Sequence, residues 1–151
     1  MVNREPAKIK SVQDLFKGEY KESTGIETPH RIETEEDSYS RVNVVATVED
    51  TYENPEKTYG SIQITDSTTT VRVKAFEETT KQLEKIEKGD LVKVIGKIRK
   101  DEEGRYLNGE IIKKIENPEY AKLRELELEK KENEEKTEKS EGLEIEEESI
   151  E

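Results

Sequence analysis

The chain has 151 residues, of which 29% are apolar and 42% charged, with a net charge of −12. Globular domains average roughly 45 to 50% apolar and about 25% charged residues, so two full domains are excluded and one compact unit with solvated ends is expected. Residues 129–151 hold eleven acids against four lysines, whereas residues 40–117 hold fifteen acids against fourteen cations; the acidity belongs mainly to the ends and leaves room for a local basic face.

In chain order, residues 1–37 read as an N-terminal extension that packs on the folded unit. Ile9, Val12, Leu15 and Phe16 close one of its ends, Tyr20 leads away, and His30 lies in an exposed polar linker. Ser40–Asp50 is rich in Val and Thr and alternates, with Val42, Val44, Ala46 and Val48 inward and Arg41, Asn43, Val45 and Thr47 outward. Asn54-Pro55 and Gly60 mark a loop, after which Ser61–Thr65 sends Ile62 and Ile64 inward. A tight turn at Asp66-Ser67-Thr68 leads into Thr70–Phe76, with Val71, Val73 and Ala75 inward; Tyr59, Ser61, Gln63, Arg72, Lys74 and Phe76 form the outward set of this hairpin. A cap at Thr79 or Thr80 opens a short helix that carries Leu83 and Ile86 and stops at Gly89. Asp90–Lys100 alternates again, with Val92, Val94 and Ile98 inward, and a turn at Asp101–Gly104 leads into a fifth strand over Arg105–Ile115. Asn117-Pro118 then starts a second helix, over 118–130, on which Tyr120, Leu123 and Leu126 recur at three-residue steps and Ala121 and Leu128 lie seven apart. The remaining residues, 131–151, read as a disordered acidic tail.

Five short strands with a helix between the third and fourth fit an OB-fold, a small Greek-key barrel, over residues 38–117. Gly96 and Gly109 suit the bends of a tightly curled barrel. A ubiquitin-like or SH3-like unit is the competing fold; the helix after the third strand favours the OB-fold.

The strings RVNVVATVED, YGSIQITDSTTTVRVKAF, LEKIEKGDLVKVIGKIRK and YLNGEIIKKIENPEYAKLRELEL, with the lead-in REPAKIKSVQDLFKGEY, resemble the small OB subunit of archaeal replication protein A over roughly residues 4–128. Pieces of this pattern occur in many OB proteins, among them tRNA anticodon-binding domains. The resemblance implies a subunit of a single-stranded DNA-binding heterotrimer acting in replication and repair. It also implies that the helix after the barrel bundles with those of the partner subunits through Tyr120, Leu123, Leu126 and Leu128. Related subunits often continue into a winged-helix domain; the acidic segment 131–151 does not match one, so docking through a winged helix is not carried over.

OB-folds hold single strands across their second and third strands, using aromatic platforms and cations. The candidates here are Arg41 and Asn43 on the first strand, Tyr59 and Gln63 on the second, and Arg72, Lys74 and Phe76 on the third. Arg99, Lys100, Arg105 and Tyr106 flank the turn between the last two strands. An outward Phe76 either stacks on a base or packs beneath the N-terminal segment or a partner. Tyr52 and Tyr59 bracket the first loop, as ligand platforms or as ordinary strand-end residues. Asp101-Glu102-Glu103 reads as a solvated turn that opposes phosphate, so weak DNA binding by the isolated chain is expected.

Other chemistries have less to build on. Cysteine is absent and His30 is the single histidine, which removes disulfides, thiol nucleophiles and the usual zinc sites. Neither GxxxxGK[ST] nor GxGxxG occurs, and no carboxylate sits in an apolar context that would raise its pKa. No enzyme activity, metal, cofactor or small-molecule substrate is expected. No run approaches the about 18 apolar residues that span a bilayer, and MVNREPAKIK lacks a signal-peptide core, so a soluble cytoplasmic protein is expected. The alternatives to DNA binding are an OB scaffold or regulatory module that contacts only protein, and an RNA-binding OB protein. The acidic tail either mimics DNA over the barrel or recruits basic partners.

Overall fold

A computed structural model describes residues 7–22, 30–66, 69–117 and 119–130. Among these residues nine strands run in chain order: β1 (Lys8–Ile9), β2 (Glu19–Lys21), β3 (Arg31–Glu33), β4 (Ser38–Tyr39), β5 (Arg41–Glu53), β6 (Tyr59–Asp66), β7 (Thr69–Phe76), β8 (Leu91–Asp101) and β9 (Gly104–Lys114). A helix, α1, covers residues 119–130. Two 3-10 helices complete the set, one over Gln13–Phe16 and one over Glu77–Leu83 between β7 and β8.

The barrel closes on β5, which is long enough to serve two neighbours. Its first half, Arg41–Thr47, pairs antiparallel with β8, and its second half, Thr47–Glu53, pairs antiparallel with β6. The register shifts between Val48 and Asp50, a bulge that bends the strand from one neighbour to the next. β6 pairs with β7, β7 runs parallel to β9, and β9 returns along β8, so the five long strands form a closed ring.

Alternation then decides what is inside. Val42, Val44, Ala46, Val48, Ile62, Ile64, Val71, Val73, Ala75, Val92, Val94 and Ile98, all expected inward, are buried, together with Leu107 and Ile112 of β9. Gly96 faces Gly109 where the β8–β9 register shifts, and a Cβ on Gly96 would lie 2.6 Å from the Asn108 carbonyl oxygen. The side-chain oxygen of Gln82 accepts the Ile112 N–H at 2.7 Å while its amide donates to the Glu110 carbonyl at 3.0 Å. One side chain thus satisfies two backbone groups of β9.

The segment between β7 and β8 is a 3-10 helix with no side-chain cap, and its N-cap is Phe76 where Thr79 or Thr80 was expected. Thr80 is instead buried, and its hydroxyl lies 2.7 Å from the Glu77 carbonyl and 2.8 Å from that of Lys57. Leu83 and Ile86 are buried against the barrel as their spacing implies.

The N-terminal segment is more structured than its polar sequence suggests. β1 pairs parallel with β5, and β2, β3 and β4 form a small antiparallel sheet that takes in Ser38 and Tyr39. Val12 and Leu15 enter the barrel core and are fully buried, but Phe16 is 42% exposed and closes nothing. Asp66 accepts the Val12 N–H at 2.7 Å, and Tyr39 donates its hydroxyl to the Asp14 carbonyl. His30 is half-buried and stacks on Tyr20 at 5.9 Å, in place of the exposed position expected of it.

Among the described residues no helix is long and apolar enough to cross a membrane, and no group of His, Asp or Glu side chains is placed to hold a metal ion. The expected turn at Ser67-Thr68, the helix start at Pro118 and the acidic tail lie outside the described residues. The Gly96 approach is the tightest constraint on barrel curvature: Gly96→Ala forces two backbones apart and is expected to cost about 1–3 kcal/mol in urea unfolding. Unchanged stability would show that the β8–β9 crossing tolerates a side chain.

Candidate nucleic-acid interface

The outward residues of β6 and β7 meet because the hairpin register pairs them. Tyr59 lies opposite Phe76, Ser61 opposite Lys74 and Gln63 opposite Arg72; the parallel β7–β9 pairing adds Tyr106 beside Arg72. Tyr59, Ser61, Gln63, Arg72 and Lys74 line an open groove of about 620 Å³, whose remaining wall is Asp101, Glu102 and Glu103 from the β8–β9 turn.

One end of the groove is aromatic. The Tyr59 ring is 5.2 Å from Phe76 and 6.1 Å from Tyr52, so three rings from β5, β6 and β7 adjoin. Tyr52 is 56% exposed and Phe76 44% exposed. The N-terminal segment does not bury Phe76, and the cluster stays partly open to solvent. Asn54 shapes the adjoining loop, its side-chain oxygen accepting the N–H groups of Thr58 and Tyr59 at 3.0 Å each.

The other end is cationic but internally paired. Arg72 grips Asp101 with both Nη atoms at 2.9 and 2.7 Å, Lys74 reaches the same carboxylate at 2.7 Å, and Glu103 lies 3.2 Å from Arg72. Asp101 is therefore a paired residue of the groove wall and not the solvated turn residue expected. The Arg72 guanidinium, followed by the Lys74 ammonium, holds the Asp101 carboxyl well below the usual carboxylate range. Donating these hydrogen bonds to Asp101 raises the pKa values of Arg72 and Lys74, so both stay charged. Both also lie over the Tyr106 ring, at 5.4 and 4.2 Å from its centroid.

The remaining expected residues stand elsewhere. Arg41 forms an ion pair with Glu110 at 2.8 Å. Asn43 lies beneath α1, its carbonyl and side-chain oxygens accepting two N–H bonds from the buried Arg124 at 3.0 and 2.9 Å. Arg105 is committed to the N-terminal segment, donating to the carbonyls of Leu15, Lys17 and Gly18 at 2.9 to 3.1 Å. Arg99 is half-buried and donates to the Ile98 carbonyl, and Lys100 approaches the Tyr20 ring at 5.9 Å.

On α1 the expected apolar stripe divides. Tyr120, Ala121 and Leu128 are half-buried on the face that carries the buried Arg124, while Leu123 and Leu126 are 52% and 54% exposed. The reason is angular: at about 100° per residue, Leu123 and Leu126 turn away from the face that Arg124 anchors.

Sequence alternation found Tyr59, Gln63, Arg72, Lys74 and Phe76. It did not find the pairing of Asp101 with Arg72 and Lys74, because that contact joins β7 to the end of β8, 29 and 27 residues away. Arg105→Ala is expected to release the N-terminal segment without altering the groove, seen as faster amide exchange at residues 12–18 against unchanged protection in β6 and β7. Equal acceleration in both would refute this assignment.

The tRNA anti-codon family model, described as an OB-fold nucleic acid binding domain, matches residues 42–123. No curated protein matches the sequence. Among solved structures, the chain is similar to one from a replication protein A heterotrimer bound to ssDNA, over 70% of this chain and 80% of that one, with a TM-score of 0.55 and 15% identity. It is also similar to a chain of the Stn1–Ten1 complex of S. pombe, over the same shares, with a TM-score of 0.61 and 16% identity. At such identities the likeness is one of fold.

Proposed function

Because this chain belongs to the family of OB-fold nucleic acid binding domains, we propose that it binds single-stranded DNA across β6 and β7 as one subunit of a replication protein A-type heterotrimer. The observation that carries the reading is the row of outward side chains itself. Three adjoining aromatic rings, Tyr52, Tyr59 and Phe76, lead along Ser61 and Gln63 to two cations over Tyr106. Stacking on Tyr59 and Phe76 tolerates any base, Gln63 supplies hydrogen bonds, and Arg72 and Lys74 meet phosphate; none of this requires a bond to be made or broken.

In this reading the barrel over 38–117 is the binding unit, 1–37 the supporting extension and 118–130 the assembly helix, with the protein working in the cytoplasm. Leu123 and Leu126 are the part of α1 left uncovered, and they are the contact offered to partner subunits. Tyr120 and Leu128 support them from the barrel side. Binding by the isolated chain is weak because the groove cations are already paired and the chain carries a net charge of −12. A larger partner subunit would then carry most of the affinity. The tRNA anti-codon character of the family model favours RNA as the second candidate ligand.

Fluorescence anisotropy with labelled poly-dT, matched RNA and duplex DNA at two salt concentrations tests the ligand. Salt-sensitive binding to poly-dT is expected, and Phe76→Ala should lose about 1–3 kcal/mol. Absence of binding at low salt, both to the full chain and to one ending at Lys130, would leave only the assembly role. A Leu123→Ser/Leu126→Ser double variant is expected to lose partner subunits in co-purification while keeping the urea midpoint of the parent. A lowered midpoint with partners retained would assign the two leucines to this chain's own stability.

A further inference from the structure

The β8–β9 turn places its carboxylates where a bound phosphate would sit. The Arg72 guanidinium offers a planar fork that accepts a carboxylate or a phosphate in the same bidentate geometry, and here Asp101 fills it. Lys74 converges on the same Asp101 oxygen that Arg72 Nη1 contacts, so one carboxylate engages both cations of the groove floor. Glu103 adds a second negative charge 3.2 Å from Arg72, and its backbone N–H donates to Asp101 at 2.9 Å, tying the turn to the clasp. Arg72 also donates to the Gly104 carbonyl at 3.2 Å. Two cations thus face two carboxylates, and these four groups sum to zero charge.

These contacts are strong enough to be occupied and exposed enough to be exchanged. The Arg72, Lys74 and Asp101 side chains are 23%, 19% and 28% exposed, and that of Glu103 is 76% exposed. Ion pairs that keep this much contact with water are weakened by it, so a polyanion can compete for the same cations. The turn also stands on the groove wall itself, as Asp101, Glu102 and Glu103 line the same space as Tyr59, Ser61 and Gln63.

We propose that Asp101 and Glu103 form an acidic latch that competes with the phosphates of a single strand for Arg72 and Lys74, and so sets the affinity of the groove. The inference rests on the nucleic-acid reading above and deepens it. Binding exchanges a carboxylate for a phosphate at each cation; the freed carboxylates then attract solvent cations, which offsets part of the counterion release from the nucleic acid. Opening the latch therefore strengthens binding and steepens its salt dependence together. A partner that draws the turn away from the groove, through a basic surface facing residues 101–103, would switch the site on.

The test is anisotropy of labelled poly-dT with the full chain, comparing the parent with Asp101→Asn and Glu103→Gln across a salt series. Asn at 101 keeps an oxygen for the Glu103 N–H, and Glu103 is an exposed side chain, so both variants retain the means to fold; circular dichroism checks that they do. Asp101→Asn is expected to tighten binding about tenfold, the equivalent of about 1.4 kcal/mol, with Glu103→Gln giving a smaller gain. The slope of log K against log salt should steepen by about 0.7 for each phosphate newly engaged. In an Arg72→Gln/Lys74→Gln background the gain should vanish, because the latch has nothing left to hold. Equal or weaker binding by Asp101→Asn, while the parent binds, overturns the latch and leaves the nucleic-acid reading standing; so does a gain that persists without Arg72 and Lys74. Absence of binding by the parent and by both turn variants overturns the nucleic-acid reading and the latch with it.

Discussion

Closure of the barrel through β5 is the constraint from which the rest follows. A strand that pairs with β8 along its first half and β6 along its second must bend, and the irregularity at Val48–Asp50 supplies the bend. Once the ring is closed, strand alternation leaves each residue one of two places, and a one-residue slip would carry the whole valine and isoleucine set into water. The register is therefore held by the core, and the outward neighbours come with it. Tyr59 faces Phe76 and Gln63 faces Arg72 because Ile62 and Val73 must both point inward.

The outer surface is used in two different ways. Over β6 and β7 the rings and cations remain open as a groove, with an acidic turn along one side. Over β5 the surface receives α1, with Arg124 buried against Asn43. Among the described residues Arg124 meets only neutral acceptors there, and its Nε atom has no hydrogen-bond partner. An arginine so placed anchors the helix through geometry more than through energy, since removing a guanidinium from water is costly when no carboxylate faces it. The N-terminal segment is held in a third way, by Val12 and Leu15 in the core, by Asp66 on the Val12 N–H and by Arg105 on three carbonyls.

The groove combines an open aromatic end with a balanced charge. Aromatic stacking is largely indifferent to salt, whereas phosphate contacts depend on cations that are free to make them. In this chain the stacking end is exposed and the cationic end is engaged by its own turn. Composition alone conveys the acidity of the chain, but the charge balance of the groove depends on two carboxylates in particular, Asp101 and Glu103, being within reach of Arg72.

The sequence by itself determined the five barrel strands, their inward faces and the outward pairs on β6 and β7. Each of these is written in local periodicity, because a strand that buries one face must alternate wherever it lies in the fold. Only the tertiary structure decided the rest. The commitment of Arg105 to residues 15–18, the seat of Asn43 beneath Arg124, the division of the α1 stripe and the clasp on Asp101 all join positions between 27 and 90 residues apart, or depend on which face of a helix meets the barrel. A polar side chain has no periodicity to betray its partner: whether an arginine holds a phosphate, a carboxylate or a backbone carbonyl is settled by what the closed barrel brings within 3 Å of it.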